Sequence, residues 1–259
     1  MIIIYFLITF FATLFGSMTG AAGGVIIKPF MDLISDLDAV TIGVLTGITL
    51  IIMSFVNIIS HILRKTDVSF LASVLIVFGS IIGGIIGGNI IFFVDEFIFE
   101  DSTIKIIQNF LLILFMLSSI FLVRSNKRIG INIYEKRYLL IIMGIFLGMT
   151  STFLGIGGGP INVTFLIIFF SFTAKESAIY SIIIVLSSQL SKMLILFTTN
   201  NIDNINLSVL PYMMIAGVAG GYLGAKLNKK CNENIIVFVF NAIQIIVIIT
   251  CCINIFNYI

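Results

Sequence analysis

Two features of this chain could do chemistry in an apolar medium: a lysine inside a hydrophobic run, and glycines crowded where a helix should continue. Lys192 lies within LSSQLSKMLILF, and GIGGGPIN, Gly155 to Asn162, interrupts an apolar stretch from 138 to 172. A charge at the centre of a membrane helix costs roughly 2.5–3.5 kcal/mol on insertion scales. Lys192 therefore either serves as counter-charge to an anion or escapes by snorkelling to an interface. Lys28, just after GAAGG, poses the same choice, and snorkelling is the expectation there. Glycine costs about 1 kcal/mol and proline about 3 relative to alanine in a helix interior. A break at GIGGGPIN frees the N–H groups of the following half-helix, whose positive end suits an anion. The expected donors are the amides of Gly155, Gly157, Gly158 and Gly159 together with Asn162, with Ser187, Ser188, Gln189, Ser191 and Lys192 as polar lining.

The other chemistry-bearing residues argue mostly by exclusion. All twelve carboxylates, Asp32 among them, fall in or beside expected connections, and cation or proton pathways usually need Asp or Glu at membrane depth. Carboxylate-based proton coupling and a cation substrate both lose support. The single histidine, His61, is expected at an interface beside Arg64, solvated. Cys231, Cys251 and Cys252 lack metal or redox spacing, so no metal and no cofactor are expected. There is no H-E-x-x-H and no G-x-S-x-G, which weakens the rival reading of an intramembrane enzyme. A membrane scaffold, the third reading, would not need the polar breaks. The net charge of +2 is too small to imply a nucleic-acid partner.

These residues must be held by membrane-spanning helices. The chain is 59% hydrophobic and only 10% charged, against about 25% charged in a soluble domain. Its apolar residues come in long runs without a period of two, so helices rather than barrel strands are expected. Eight segments emerge, at about 2–31, 39–63, 68–94, 104–123, 138–172, 177–199, 207–225 and 235–256. The first lacks a basic n-region and exceeds the usual signal length, so it reads as a retained membrane segment.

The polar connection Arg124 to Arg137 divides the segments into two groups of four, giving a first repeat at 1–124, a linker at 125–137 and a second repeat at 138–259. A shift of 135 lays GAAGGVIIKPF over GIGGGPINVTF, and a shift of 137 lays GGIIGG over GGYLGA. Gly20, Gly23 and Gly24 thereby join the candidate site, as does Asn57, the counterpart of Lys192. Loop charges add an orientation. The basic central loop and Arg64–Lys65 belong inside and acidic DEFIFED outside, yet basic KLNKK also belongs inside, which eight plain crossings forbid. The conflict disappears if segments one and five are re-entrant hairpins, leaving an odd number of crossings per half and two inverted halves. The fold class expected is all-α and integral to the membrane, built of two four-segment repeats.

The motifs Gly16 to Pro29 and Gly155 to Asn162, each opening one half, resemble those of the sulfite exporter TauE/SafE family of membrane permeases. The resemblance implies a multi-pass plasma-membrane transporter of sulfite, sulfonates or another small sulfur-containing anion. It implies a small anionic substrate and the lipid bilayer as partners, and leaves a homo-oligomer open. One departure is that members often carry Pro after the glycine run in both halves; here Pro29 has Thr164 as its equivalent.

Overall fold

The computed structural model describes residues 2–63, 68–97, 99–124, 129–131, 136–198 and 206–258. Of the charges used for orientation, Arg64, Lys65, Lys127, Arg128, Glu135 and Asp203 lie outside the described residues. Among the described residues there are ten helices and no strand: α1 (Ile2–Thr19), α2 (Gly24–Ile34), α3 (Ala39–Leu63), α4 (Phe70–Phe97), α5 (Asp101–Arg124), α6 (Arg137–Phe153), α7 (Gly159–Phe170), α8 (Ala174–Thr198), α9 (Leu210–Lys230) and α10 (Glu233–Tyr258). Eight segments become ten helices because the first and fifth are each split. α1, α3, α4, α5, α8 and α10 are long and apolar enough to cross a bilayer. α9 runs on through KLNKK, which the sequence placed in a loop; the amide hydrogen bonds continue there and the lysines still mark the segment's end.

Both splits occur at the glycine motifs, and the backbone there explains why. Gly20 and Ala22 take φ of +75° and +44°, and Gly155, Gly157 and Gly158 take +66°, +73° and +73°. Left-handed residues cannot continue a right-handed helix. Pro160 sits in the first turn of α7, where its missing N–H is not required. Thr164 lies in an unbroken helix and its hydroxyl pairs with that of Ser119.

After each split the chain folds back. Tyr5 near the start of α1 and Ile34 at the end of α2 line one cleft. In the second half the Phe146 and Phe165 rings lie 5.6 Å apart, and the amides of Ile129 and Ile131 donate to the carbonyls of Ile168 and Phe169 at 2.8 and 2.7 Å. Segments one and five are therefore each two helices, with the second folding back beside the first. Carbonyls at the breaks would be costly at membrane depth, and neighbouring helices satisfy them. Asn228 donates to Met18 O at 2.6 Å, Ser181 to Gly20 O at 2.8 Å and Gln108 to Phe153 O at 2.8 Å.

Each hairpin packs on the other half of the chain. α1 lies on α9, where Gly220 and Gly224 admit the backbone at Phe10 and Leu14; α6 lies on α4, where Gly83 and Gly87 admit that at Ile145 and Met149. The glycine-rich faces thus permit close helix approach, as small residues do in membranes. The contacts also correspond: the 135 shift carries Phe10 and Leu14 onto Ile145 and Met149, and the 137 shift carries Gly83 and Gly87 onto Gly220 and Gly224. α3 and α8 are the most enclosed of the long helices and flank the hairpin tips.

Candidate functional site

The two breaks meet. Gly24 lies against the carbonyl of Ile156, Gly159 against that of Ala21, and a methyl on Gly157 would stand 3.4 Å from the Ala22 side chain. Gly24 on one side and Gly157 and Gly159 on the other form this junction, while Gly20 packs on Ala178 of α8, Gly23 on α1, Gly155 on Gly43 of α3 and Gly158 on Asn162.

Lys192 reaches this junction from α8. It is 1% exposed, which removes the snorkelling alternative. Its stem lies along Gly88 of α4, and its Nζ is 3.2 Å from where a Cβ on Gly43 would be. Gly43 in turn packs on Gly155, whose other neighbours are Cδ and Cε of Lys28. Lys28 is fully buried as well, contrary to the expected escape to an interface. The reason is its helix: α2 is flanked by α1, α3 and α10, which enclose this face. Both lysines thus converge on the Gly43–Gly155 contact.

Their partners differ. Lys28 Nζ lies 3.4 Å from Asp32 Oδ1, four residues on in the same helix, with both side chains buried. Among the described residues no carboxylate pairs with Lys192. Two buried lysines with one buried carboxylate leave a formal excess of one positive charge. Burying an unpaired charge carries an effective penalty of several kcal/mol.

Asp32 lies beside the connection after α2, as expected, but is buried in the protein. It is 4% exposed, and besides Lys28 it accepts from Asn109 Nδ2 at 3.2 Å, while the Asn109 Oδ1 accepts from Asn254 at 3.3 Å. The hydropathy boundary at residue 31 had put it just outside a segment. The sequence did carry a signal, since Lys28 and Asp32 are spaced i,i+4 as a helical ion pair.

The remaining expected residues divide. Gln189, three residues before Lys192, faces Gly47 and donates to Ser151 O at 3.3 Å; the Ser188 hydroxyl is 3.3 Å from that of Ser151. Ser187 pairs with Ser80, and Ser191 donates to the Ser187 carbonyl. Asn162 is fully buried in the first turn of α7, and neither atom of its amide has a hydrogen-bond partner among the described residues. Leaving such a group unsatisfied costs about 1–3 kcal/mol. The loop amides contribute fewer donors than expected: those of Gly155, Gly157 and Gly159 already bond to the carbonyls of Thr152, Ser151 and Gly157. Asn57 stands apart. It donates to Ser17 Oγ at 2.8 Å, fourteen residues from Gly43 along α3, or about 21 Å at 1.5 Å per residue. It does not share the pocket of Lys192. His61 is only 9% exposed, packed at the end of α3 rather than solvated.

The junction therefore offers a buried lysine without a carboxylate partner among the described residues, an unsatisfied amide and several hydroxyls, enclosed by protein. That set favours a small anion over a cation. Neither a curated protein nor a solved structure matches the chain. The family model of the sulfite exporter TauE/SafE, a family of membrane permeases for sulfite-like anions, matches residues 5–251, and the chain belongs to that family.

Proposed function

We propose that the protein is a secondary transporter that carries a small sulfur-containing anion, such as sulfite, thiosulfate or a sulfonate, across the plasma membrane by alternating access. The observation that carries this reading is Lys192, buried without a carboxylate partner at the contact of the two breaks. An anion bound there removes the excess charge. The halves 1–124 and 138–259 move against each other as inverted repeats, joined by a cytoplasmic linker at 125–137. Support for inversion comes from the two hairpins and from the corresponding glycine contacts of α1 with α9 and α6 with α4. Lys192, Gln189, Ser188 and Asn162 line the site, and Gly155 to Gly159 with Gly20 to Gly24 shape it.

The test is uptake of labelled sulfite, thiosulfate and simple sulfonates by the purified protein in liposomes. Saturable uptake of at least one is expected; failure of all would remove the proposal. Reporter fusions probe the architecture separately. With α1–α2 and α6–α7 as hairpins, the C-terminus lies outside and the end of α9 near Lys229 inside, and an intracellular C-terminus contradicts that arrangement.

Asn162→Leu gives a further expected result. The substitution removes a buried amide that has no protein hydrogen-bond partner among the described residues, so the anion-free protein gains about 1–3 kcal/mol of stability while anion affinity falls. Thermal denaturation in detergent with and without anion checks both signs; a variant that is less stable and binds normally would show that the amide does not serve the ligand.

A further inference from the structure

The two polar side chains of α7 are Asn162 and Thr164, both fully buried, and they are treated differently. Asn162 has no hydrogen-bond partner among the described residues, whereas the Thr164 hydroxyl pairs with that of Ser119 on α5. We propose that Ser119, Thr164 and Gln244 are positioning residues of the anion site: they pin one face of α7 so that Asn162, on the opposite face, is aimed at the ligand. This rests on the reading of the junction as the site of an anion transporter.

Helix geometry makes the link direct. Positions two apart lie about 200° around a helix of 3.6 residues per turn, so the Thr164 pin and the Asn162 amide stand on opposite sides of α7. Side chains tilt toward the N-terminus of their helix, and that of Asn162 lies against Gly158, where the break ends and α7 begins. The last turn of α7 is held by the amides of Ile129 and Ile131. Its first turns are held by apolar packing, Ile161 in the main core and Val163 with Ala21 and Phe240. Apolar attraction is non-directional and leaves the helix free to roll slightly; a hydrogen bond fixes that angle. The pin is itself braced, because Gln244 of α10 donates to Ser119 Oγ at 2.8 Å.

The other half carries an equivalent pin. Side-chain bonds join α5 and α10 at two levels, Gln244 to Ser119 and Asn254 to Asn109 Oδ1 at 3.3 Å. The 135 shift exchanges these pairs, carrying Asn109 onto Gln244 and Ser119 onto Asn254. Asn254 also donates to the Pro29 carbonyl of α2 at 2.8 Å, and the same shift carries Pro29 onto Thr164. Ser119 with Thr164 thus repeats the contact of Asn254 with Pro29, and each returning helix is tied at the same position to the α5–α10 pair. Both ties stand next to a residue of the junction: Pro29 adjoins Lys28, whose stem lies beside Gly155, and Thr164 is two residues from Asn162. The helices differ in how firmly they are held. On α2, Asp32 adds a bond from Asn109 to its carboxylate at 3.2 Å and one from the Tyr258 hydroxyl to its backbone carbonyl. On α7 the shift puts Ile167 in the place of Asp32, so the polar hold from α5 and α10 is the hydroxyl pair, and its loss is felt at Asn162.

The test separates aim from stability. Wild-type protein and Thr164→Val, which keeps the shape of the side chain and loses its hydroxyl, are compared in liposomes by exchange of labelled sulfite, thiosulfate and methanesulfonate. Half-saturation is expected to rise about two- to tenfold in Thr164→Val, the effect of one lost hydrogen bond, with the maximal rate per folded molecule kept. Thr164→Ser retains the hydroxyl and should restore the wild-type half-saturation. Because the pin acts through Asn162, Thr164→Val should add nothing to the affinity loss of Asn162→Leu. An unchanged half-saturation in Thr164→Val, a loss that Thr164→Ser does not restore, or a loss that adds in full to that of Asn162→Leu overturns the assignment and leaves the anion transporter intact. If the wild-type protein exchanges none of the three anions, the transporter reading falls and the pin with it. Should Thr164→Val fail to fold, Ser119→Ala removes the same bond from α5 and carries the same expected rise and the same non-additivity with Asn162→Leu.

Discussion

Replacing Lys192 with methionine is expected to weaken anion binding by about thirtyfold or more and, at the same time, to make the anion-free protein more resistant to heat. The affinity loss follows from truncating one partner of a buried charge pair, worth about 2–5 kcal/mol, where 1.4 kcal/mol is a factor of ten. The stability gain has the opposite sign and the same cause. An ammonium 1% exposed and without a carboxylate partner carries a desolvation penalty, and an apolar side chain of similar length removes it. A lysine with a merely structural role would do the reverse, losing stability on substitution and leaving affinity alone. Binding isotherms and thermal denaturation on the same preparations separate the two cases. The chain has no tryptophan, so size exclusion after heating is the suitable stability readout.

The second large effect concerns the junction itself. A methyl group on Gly159 is expected to destabilise the protein by about 3 kcal/mol or more and to abolish transport. Gly159 has φ of +31°, and its Cβ would run into the Ala21 carbonyl and the Val25 side chain. The left-handed backbone costs roughly 1–2 kcal/mol for any other residue, and overpacking adds about 1–3. Backbone cannot yield as a flexible side chain can, so the hairpin tips would have to separate. Gly43→Ala makes an instructive contrast. Its nearest obstacle is the Lys192 ammonium at 3.2 Å, the mobile end of a long side chain, so the fold should survive and anion affinity should fall. If Gly159→Ala were as stable and active as wild type, the observed contact of the two breaks would not be one that function needs.

How much of this was legible in the sequence varies with the physics involved. The two splits were readable because helix-breaking glycines and the shift of 135 pointed to the same places. Burial of Lys192 was one of two open alternatives, and only the packing against Gly43 and Gly88 decides it. The burial of Lys28 and Asp32 was not legible for one reason. A hydropathy window treats a charge near a segment's end as close to water, whereas a hairpin arm ends inside the protein, walled by α5 and α10. Sequence equivalence between repeats does not bring Asn57 to Lys192: Asn57 bonds to Ser17, whereas Lys192 lies at Gly43. The glycine amides were overvalued because tight turns at the break use them internally. A second polar cluster, Ser119 with Thr164 and Gln244, escaped notice altogether, since single Ser, Thr and Gln residues in apolar helices carry no pattern.

The most direct measurement of the central claim is anion exchange in liposomes containing wild-type protein or Lys192→Met, loaded with unlabelled sulfonate or thiosulfate and placed in trace labelled anion. Counterflow needs no driving ion, so it reports the anion site and its alternation alone. Wild-type protein is predicted to accumulate label transiently and saturably, and Lys192→Met to lose that accumulation while remaining folded and monodisperse. Undiminished counterflow in Lys192→Met would contradict the assignment of the buried lysine to the anion.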